Sequence, residues 1–323
     1  MLLNLLFILA GFILLLVGAD RFVGGAGATA RNLGVPPLLI GLTIVGFATS
    51  APEILVSVTA AVQGLPKLAI GNALGSNIAN IGLVLGVSAL VKPIYLSNSV
   101  TLRREMPLLL AVPIFTAIFF YTGDYLSKLD GLIMLAGLGG FLYWMARLGL
   151  RAARSDPMAT EFDAEIRSDM RTSVAVAWLI VGFILLVAGS NLLVLGAGNL
   201  ARALGVSHLF IGITIVAVGT SLPELAVTAT CAFKGEAELA LGNIIGSNIF
   251  NLLAVVGLAV IIHPVALDAE VLYLHFPVMI VFTVALFIMA YNKQGESRIR
   301  RQEGFVLLLA FVAYYGLLVA RAF

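Results

Sequence analysis

The sequence predicts an all-α integral membrane protein of ten transmembrane helices, arranged as two inverted five-helix repeats. Two observations predict the membrane class: 61% of the residues are hydrophobic and only 11% are charged, whereas soluble domains carry roughly 25% charged residues. A third predicts the repeats. Residues 11–94 align without a gap on residues 182–265, at a constant offset of 171, and about half of the aligned positions are identical. Two similar halves are typical of transporters that bind a substrate between them.

Apolar runs long enough to cross about 30 Å of hydrocarbon recur along the whole chain. Because each half holds five of them and crosses the membrane an odd number of times, the second half must enter from the opposite side. The repeats are therefore predicted to be inverted about an axis in the membrane plane. The predicted spans are 2–18, 36–62, 68–91, 106–121, 130–147, 173–190, 207–232, 239–262, 274–291 and 304–320.

The basic residues predict how this arrangement is oriented. Of the 19 Lys and Arg residues, 15 fall on one side of the predicted layout and 4 on the other. Short loops rich in Lys and Arg face the cytoplasm, so both termini are predicted outside and the 148–172 loop inside. The predicted organisation is a first repeat at 1–148, a cytoplasmic linker at 149–172 and a second, inverted repeat at 173–323.

Two glutamates, Glu53 and Glu224, lie inside apolar spans at equivalent places in the two repeats. An ionisable side chain at this depth costs at least about 2.5 kcal/mol, and packing alone gives no reason to keep two of them. Inverted mid-span helices would bring the pair together near the midplane. Isolated carboxylates would take up protons there, whereas a bound cation keeps both of them charged.

Oxygen-bearing residues surround each glutamate in the sequence. Two hydroxyl residues precede it by four and three positions and share its helix face. The proline immediately before it has no N–H, which frees a carbonyl four residues back. Hard cations such as Na⁺ and Ca²⁺ bind oxygen ligands of this kind. The residues are Thr49, Ser50 and Pro52 in the first half, and Thr220, Ser221 and Pro223 in the second.

A second motif reads GNALGSNIAN at 71–80 and GNIIGSNIFN at 242–251. It places a serine and an asparagine four residues apart on one face of an apolar helix, and its glycines are spaced for close helix approach, which would bring this face to the glutamates. Its other asparagines could be ligands or could hydrogen-bond the broken backbone of a neighbouring helix. The pairs are Ser76 with Asn80 and Ser247 with Asn251, and the other asparagines are Asn72, Asn77, Asn243 and Asn248.

GFATSAPE and AVGTSLPE, each followed by GN--GSNI---N, resemble the two alpha-repeats of the calcium/cation antiporter superfamily, most closely the bacterial sodium/calcium exchanger type. The alpha-1 motif covers 41–80 and the alpha-2 motif 212–251. The resemblance implies a secondary antiporter of the plasma (inner) membrane that exchanges Na⁺ for Ca²⁺ by alternating access at a central site. The first helix of each half would move across that site. The partners implied are the two ions and the lipid bilayer, with no cofactor, nucleic acid or obligatory protein partner.

Carried over by motif position, the resemblance implies that Glu53 and Glu224 bind Ca²⁺ and Na⁺ at the centre. Some family members carry Asp where this chain has Asn251, so this site has only two carboxylates, a formal charge of −2 that matches one Ca²⁺. Dependence on K⁺ is therefore not expected. Thr49, Thr220, Gly46 and Ala217 would lend backbone carbonyls, Ser50, Ser76, Ser221 and Ser247 would flank the outer Na⁺ positions, and Asn80 and Asn251 complete the candidate set.

Three other functions are compatible with part of this pattern. A proton/cation antiporter of the same fold could exchange a metal for protons on the two glutamates, and sodium-independent, pH-driven uptake would distinguish it. A passive channel would show linear, unsaturated flux. An intramembrane hydrolase is not expected, because no His lies in the middle of a core span and no base is placed to activate a serine. The chain is thus predicted not to be an enzyme.

Overall fold

The chain is helical almost throughout the part that the computed structural model describes, which is residues 2–34, 46–96, 100–123, 125–152, 170–234, 237–290 and 297–322. Several helices contain π-helical turns, and breaks at Ser50 and Ser221 interrupt the regular pattern. In chain order the helices are α1 (Leu2–Asn32), α2 (Gly46–Thr49), α3 (Ala51–Val62), α4 (Pro66–Val91), α5 (Val100–Thr122), α6 (Lys128–Ala152), α7 (Thr172–Leu204), α8 (His208–Thr220), α9 (Leu222–Lys234), α10 (237–262), α11 (Val271–Ala290) and α12 (Arg301–Ala322).

Seven of the described helices are long and apolar enough to cross a membrane, and the number becomes eight when α8 and α9 count as one span. These two helices meet at a bend of 42°. Two shorter apolar helices, Ala51–Val62 and Met106–Thr122, accompany them. Recurrent apolar helices of this length define a multi-pass integral membrane protein.

Within the described ranges, four short strands form two antiparallel ladders, and each ladder joins the first half of the chain to the second. β1 (Ile94–Leu96) pairs with β4 (Ser297–Ile299), and β2 (Tyr125–Leu126) pairs with β3 (Val265–Ala266). β3 begins 171 residues after β1, and β4 begins 171 residues after the last residue of β2. The ladders are therefore related by the same offset as the sequence repeat.

The first helix of each half is longer than the apolar runs predicted. α1 has 31 residues and α7 has 33, whereas the predicted spans were 2–18 and 173–190. At 1.5 Å per residue each helix is about 45–50 Å long, so each extends beyond the hydrocarbon. Arg21, which the predicted layout placed in a loop, lies within α1 with its guanidinium 4.2 Å from the ring centroid of Trp178. The apolar run ended before the helix did because polar residues continue a helix outside the hydrocarbon.

α1 and α7 pack antiparallel along a row of glycines spaced seven residues apart, here called the glycine seam. A Cβ added to Gly18 would lie 2.9 Å from the backbone N of Leu186, and one added to Gly189 would lie 2.9 Å from the carbonyl O of Gly11. Such distances exclude any side chain, so the backbones of the two helices are in direct contact. The other glycines of the seam are Gly25, Gly182 and Gly196.

α4 and α10 lie at the centre of the molecule. In their most apolar windows 78% and 83% of the residues are buried, against 39% or less in the other long spans. Gly71 and Gly75 bring α4 against the backbone of α8, because a Cβ at either position would lie 2.5 Å from a carbonyl oxygen of that helix. The central helix of one half therefore packs directly on the broken helix of the other.

Candidate cation site

Each of the two glutamates follows a break in its helix. Ser50 separates α2 from α3 and Ser221 separates α8 from α9, and both serines have a ψ of 3°. Pro52 and Pro223 are the second residues of the new helices, where the missing N–H of proline is tolerated. The break gathers hydroxyl, carbonyl and carboxylate oxygens within about one turn.

The predicted ligand side chains are buried. Glu53 and Glu224 have no exposed surface. Among the described residues, neither carboxylate forms an ion pair. The other candidates are 1% exposed or less; they are Thr49, Thr220, Ser50, Ser221, Ser76, Ser247, Asn80 and Asn251.

Many polar atoms of this cluster have no hydrogen-bond partner. Buried polar groups in proteins are nearly always bonded, and leaving one unsatisfied costs about 1–3 kcal/mol. A concentration of unpartnered oxygens at two equivalent helix breaks is the arrangement expected of a cation site. The atoms are both carboxylate oxygens of Glu53, Oε2 of Glu224, the hydroxyls of Ser50 and Ser221, Oδ1 of Asn80, and Oδ1 and Nδ2 of Asn251.

Two threonine hydroxyls connect the halves across the site. Thr220 donates from Oγ1 to Oδ1 of Asn72 at 3.1 Å, and Thr49 donates from Oγ1 to Oδ1 of Asn243 at 3.2 Å. Both threonines end the helix before a break, and both asparagines belong to the central helix of the other half. Each break is therefore held by the opposite repeat.

The same asparagines also bond their own half. Asn72 donates from Nδ2 to the hydroxyl of Ser57 at 3.0 Å and to the backbone carbonyl of Glu53 at 3.3 Å. Asn243 donates to the hydroxyl of Thr228 at 3.1 Å. Ser57 and Thr228 were not among the residues that the sequence singled out. Their position four residues after each glutamate, on the same helix face, is the signal that could have found them.

The serines of the second motif reach the site from the central helices. Ser247 donates to Oε1 of Glu224 at 3.4 Å, and the hydroxyl of Ser76 lies 3.4 Å from that of Thr220. Ser76 thus contacts the opposite repeat, whereas Ser247 contacts its own.

The asparagines of the second motif occupy an unusual backbone. Asn80 and Asn251 begin π-helical turns at Asn80–Leu85 and Asn251–Val255, a geometry that occurs frequently at functional sites. Asn80 donates from Nδ2 to Oδ1 of Asn248 at 3.1 Å, which leaves its own Oδ1 unpartnered. Asn77 donates to the backbone carbonyl of Asn248.

The two backbone candidates lie on the helices before the breaks. The carbonyl of Ala217 accepts a hydrogen bond from the N–H of Ser221 at 3.0 Å, and the hydroxyl oxygen of Thr220 lies 3.3 Å from it. Gly46 is the first residue of α2 and adjoins residues 35–45, which lie outside the described ranges.

A multi-pass membrane protein with a buried, oxygen-lined cluster between two related halves belongs by class to the cation transporters. The sequence matches the family model "Sodium/calcium exchanger protein" over residues 3–147 and 174–320. The chain belongs to this family, in the calcium/cation antiporter superfamily, and is an antiporter rather than an enzyme.

Relatives match the chain over nearly its whole length. A protein of Alkalimonas amylolytica named "Putative antiporter CaxA" is 48% identical over 98% of this chain and 99% of its own. The sodium/calcium exchanger MaX1 of Methanosarcina acetivorans is 32% identical, with coverage of 96% and 97%. A solved structure of the sodium-calcium exchanger NCX_Mj, soaked with Na⁺ and Sr²⁺, superposes with a TM-score of 0.68 at 33% identity and covers 98% of both chains.

Proposed function

We propose that this chain is a secondary active antiporter that exchanges Na⁺ for Ca²⁺ by alternating access at a midplane site built on Glu53 and Glu224. The observation that carries the proposal is the pair of fully buried carboxylates, unpaired among the described residues and surrounded by unpartnered oxygens. The choice of ions is supported by the family and by relatives that are named sodium/calcium exchangers.

The charge of the site explains why exchange, rather than free passage, is the expected activity. Two carboxylates balance one Ca²⁺, and Na⁺ ions bound to the same oxygens exclude it. An unloaded pair of buried charges is costly in the membrane, so the protein changes its access from one side to the other mainly when cations neutralise the pair. Each crossing then carries one ion type or the other, which couples the two fluxes.

The proposed ligands are of three kinds: carboxylates, backbone carbonyls and uncharged polar side chains. Glu53 and Glu224 supply charge, and the backbone carbonyls of Thr49, Thr220, Gly46 and Ala217 supply further oxygens. The serines and asparagines extend the site on both sides, at Ser50, Ser221, Ser76, Ser247, Asn80 and Asn251. Ligands of this kind suit both Ca²⁺ and Na⁺.

The proposed topology is ten spans in two inverted repeats. Adding α2–α3 and α5 to the eight candidate spans gives five spans in residues 1–148 and five in 173–323, joined by the 149–172 linker. The equivalent ladders at an offset of 171 support the inverted relation. The distribution of Lys and Arg supports termini outside and a cytoplasmic linker.

Uptake of ⁴⁵Ca²⁺ into proteoliposomes loaded with Na⁺ tests the function. We expect rapid, saturable uptake that requires internal Na⁺ and falls at least about 100-fold in Glu53→Gln and Glu224→Gln, because removing one charge of the pair costs several kcal/mol of cation binding. Glu270→Gln is the matched control, because it makes the same change at an exposed glutamate and should leave uptake unchanged.

Two results would contradict the proposal. Uptake driven by a pH gradient without Na⁺ would show that the counter-ion is H⁺. Uptake that persists in both glutamine variants would place the transport site elsewhere.

A further inference from the structure

The helix pair α1–α7 is symmetric within itself. Gly11 and Gly182 are equivalent by the 171 offset, and each meets a glycine carbonyl of the partner helix, Gly189 and Gly18 respectively. The pair nevertheless sits unequally on the rest of the molecule: α7 packs along α3, whereas α1 makes far fewer contacts with the equivalent helix α9. The asymmetry therefore lies in the position of the pair against the core.

Burial along the two equivalent helices shows the same difference. On α3, a row of residues spaced four apart is buried or half-buried. The residues at the equivalent positions on α9 are half-buried or exposed. The row on α9 begins beside Glu224 and leads toward Lys234, on the side predicted to be cytoplasmic. On α3 the residues are Ala51 (buried), Leu55 and Thr59 (both half-buried); on α9 they are Leu222 (half-buried), Ala226 and Thr230 (both exposed).

One hydrogen bond fixes α7 to α3, and the repeat contains no equivalent of it. The hydroxyls of Thr59 and Ser190 lie 3.2 Å apart. Because Ser190 also donates to the carbonyl of Val187 at 2.9 Å, Thr59 is the donor between the two hydroxyls. Position 230 is also Thr, but the position equivalent to Ser190 is Ala19. In the opposite arrangement, with α1 on α9, this bond cannot form.

The packing of Phe12 against Gly219 also has no equivalent in the opposite arrangement of the repeats. The ring of Phe12 lies so close to Gly219 that a Cβ at 219 would be 1.7 Å from Cε1 of the ring. The equivalent positions hold Phe183 and Ala48. Phe183 is 49% exposed, and Ala48, which is fully buried, already carries the methyl group that this geometry excludes. The opposite arrangement therefore cannot bring a phenyl ring as close to the helix break.

We propose that these two asymmetric contacts, Thr59–Ser190 and Phe12–Gly219, make the arrangement with α7 on α3 the preferred resting state of the transporter. In this state the site is closed toward the end of α3 and approached along α9. The inference rests on the proposed alternating access, and it adds that the two access states are unequal in energy because of four named residues.

Accessible cysteines report which face is uncovered without requiring any ion gradient. The native Cys231 is buried and is replaced by alanine, the residue at the equivalent position 60. Ala226→Cys and Leu55→Cys then serve as separate reporters in nanodiscs, where both membrane faces meet solvent. The measured quantity is the ratio of their reaction rates with a charged maleimide. We expect the Ala226→Cys protein to react about tenfold faster or more.

Removing either contact should reduce that ratio. Ser190→Ala is expected to lower it roughly threefold, the effect of one hydrogen bond within a membrane protein. Phe12→Ala should lower it about tenfold, because it removes a large packed side chain. Phe183→Ala makes the same change at the equivalent, exposed ring and should not lower it. Thr116→Ala removes a buried hydroxyl that donates to the carbonyl of Val112 in its own helix and should leave the ratio unchanged.

Ala19→Ser tests the same idea by adding a hydroxyl opposite Thr230, and it should also lower the ratio. Equal labelling of the two reporters, or a ratio unmoved by Ser190→Ala, Phe12→Ala and Ala19→Ser in monodisperse protein, would overturn the inference. If the labelling ratio changes as expected but the protein does not exchange Na⁺ for Ca²⁺, the proposed ions are wrong and the conformational preference still holds.

Discussion

The side chains of Asn72 and Asn243 each form hydrogen bonds with both repeats. The carbonyl oxygen of each side chain accepts a hydroxyl from the opposite repeat, and the amide nitrogen bonds its own repeat. Because the threonine hydroxyls donate to asparagine, their lone pairs and the adjacent backbone keep a fixed orientation. We therefore expect the two asparagines to influence cation binding through the residues they position.

Replacing Asn72 by alanine should lower the apparent affinity for Ca²⁺ about tenfold, because it removes two to three hydrogen bonds worth about 0.6 kcal/mol each in a membrane protein. The maximal rate should change less, since both glutamates remain. The measurement is the concentration dependence of Na⁺-driven ⁴⁵Ca²⁺ uptake. Asn199→Ala, which removes an asparagine bonded to Arg202 away from the site, is the control. Unaltered affinity in Asn72→Ala would mean that Thr220 is positioned without it.

At the scale of residues, the sequence alone indicated which polar residues are buried together but not which hydrogen bonds join them. The repeated glutamates, hydroxyls and prolines indicated which residues would be buried together, because an unpaired charge in an apolar span requires a reason. The partners of Asn72 and Asn243 could not be predicted. They depend on how closely α4 approaches α8 and α10 approaches α2, and those distances are set by packing across the two repeats.

At the scale of helices, the glycine seam determines whether α1 and α7 can move relative to each other. Backbone contact over four turns leaves no room for one helix to slide on the other. The seven-residue spacing was present in the sequence, but spacing does not identify a partner. The lengths of α1 and α7 were underestimated for a related reason, since hydropathy detects where the hydrocarbon ends and not where a helix ends.

Gly18→Val should separate the two helices, because its Cβ would meet the backbone N of Leu186 at 2.9 Å and backbone cannot move aside. Overpacking of this kind costs about 1–3 kcal/mol, and we expect a melting temperature about 5 °C lower in detergent together with reduced uptake. Gly316→Val is the matched control, because a Cβ there meets nothing within 4 Å. Equal melting temperatures for the two variants would show that the seam is not tightly packed in the protein.

At the scale of the whole molecule, the two ladders join the repeats at fixed registers, whereas the α1–α7 pair is attached to the core mainly on one side. The molecule thus divides into a core with cross-repeat connections and a helix pair attached mainly on one side, as the proposed movement of the pair requires. The sequence repeat predicted two equal halves. It could not predict which half the pair would cover, because the two repeats share the motifs that form the site and only a few residues that differ between them decide the arrangement.

Two disulfide crosslinks test whether the α1–α7 pair moves relative to the core. In a Cys231→Ala background, a disulfide formed in the Thr59→Cys, Ser190→Cys variant should abolish uptake, because it fixes α7 to α3, and reductant should restore it. A disulfide formed in the Leu126→Cys, Val265→Cys variant joins facing residues of a ladder and should leave uptake within about twofold, since cross-strand neighbours are already close. Normal uptake with the first crosslink intact would contradict movement of α7 against α3.

The glycine seam has a further consequence for the cell. α1 and α7 come from different repeats, yet they are joined along their length. In the proposed alternating access, moving the pair to uncover one end of the site brings it over the other, so a continuous water-filled passage would require the two backbones to part. A transporter built in this way would resist becoming a leak, and the Na⁺ gradient proposed to drive it would be preserved even when Ca²⁺ is scarce.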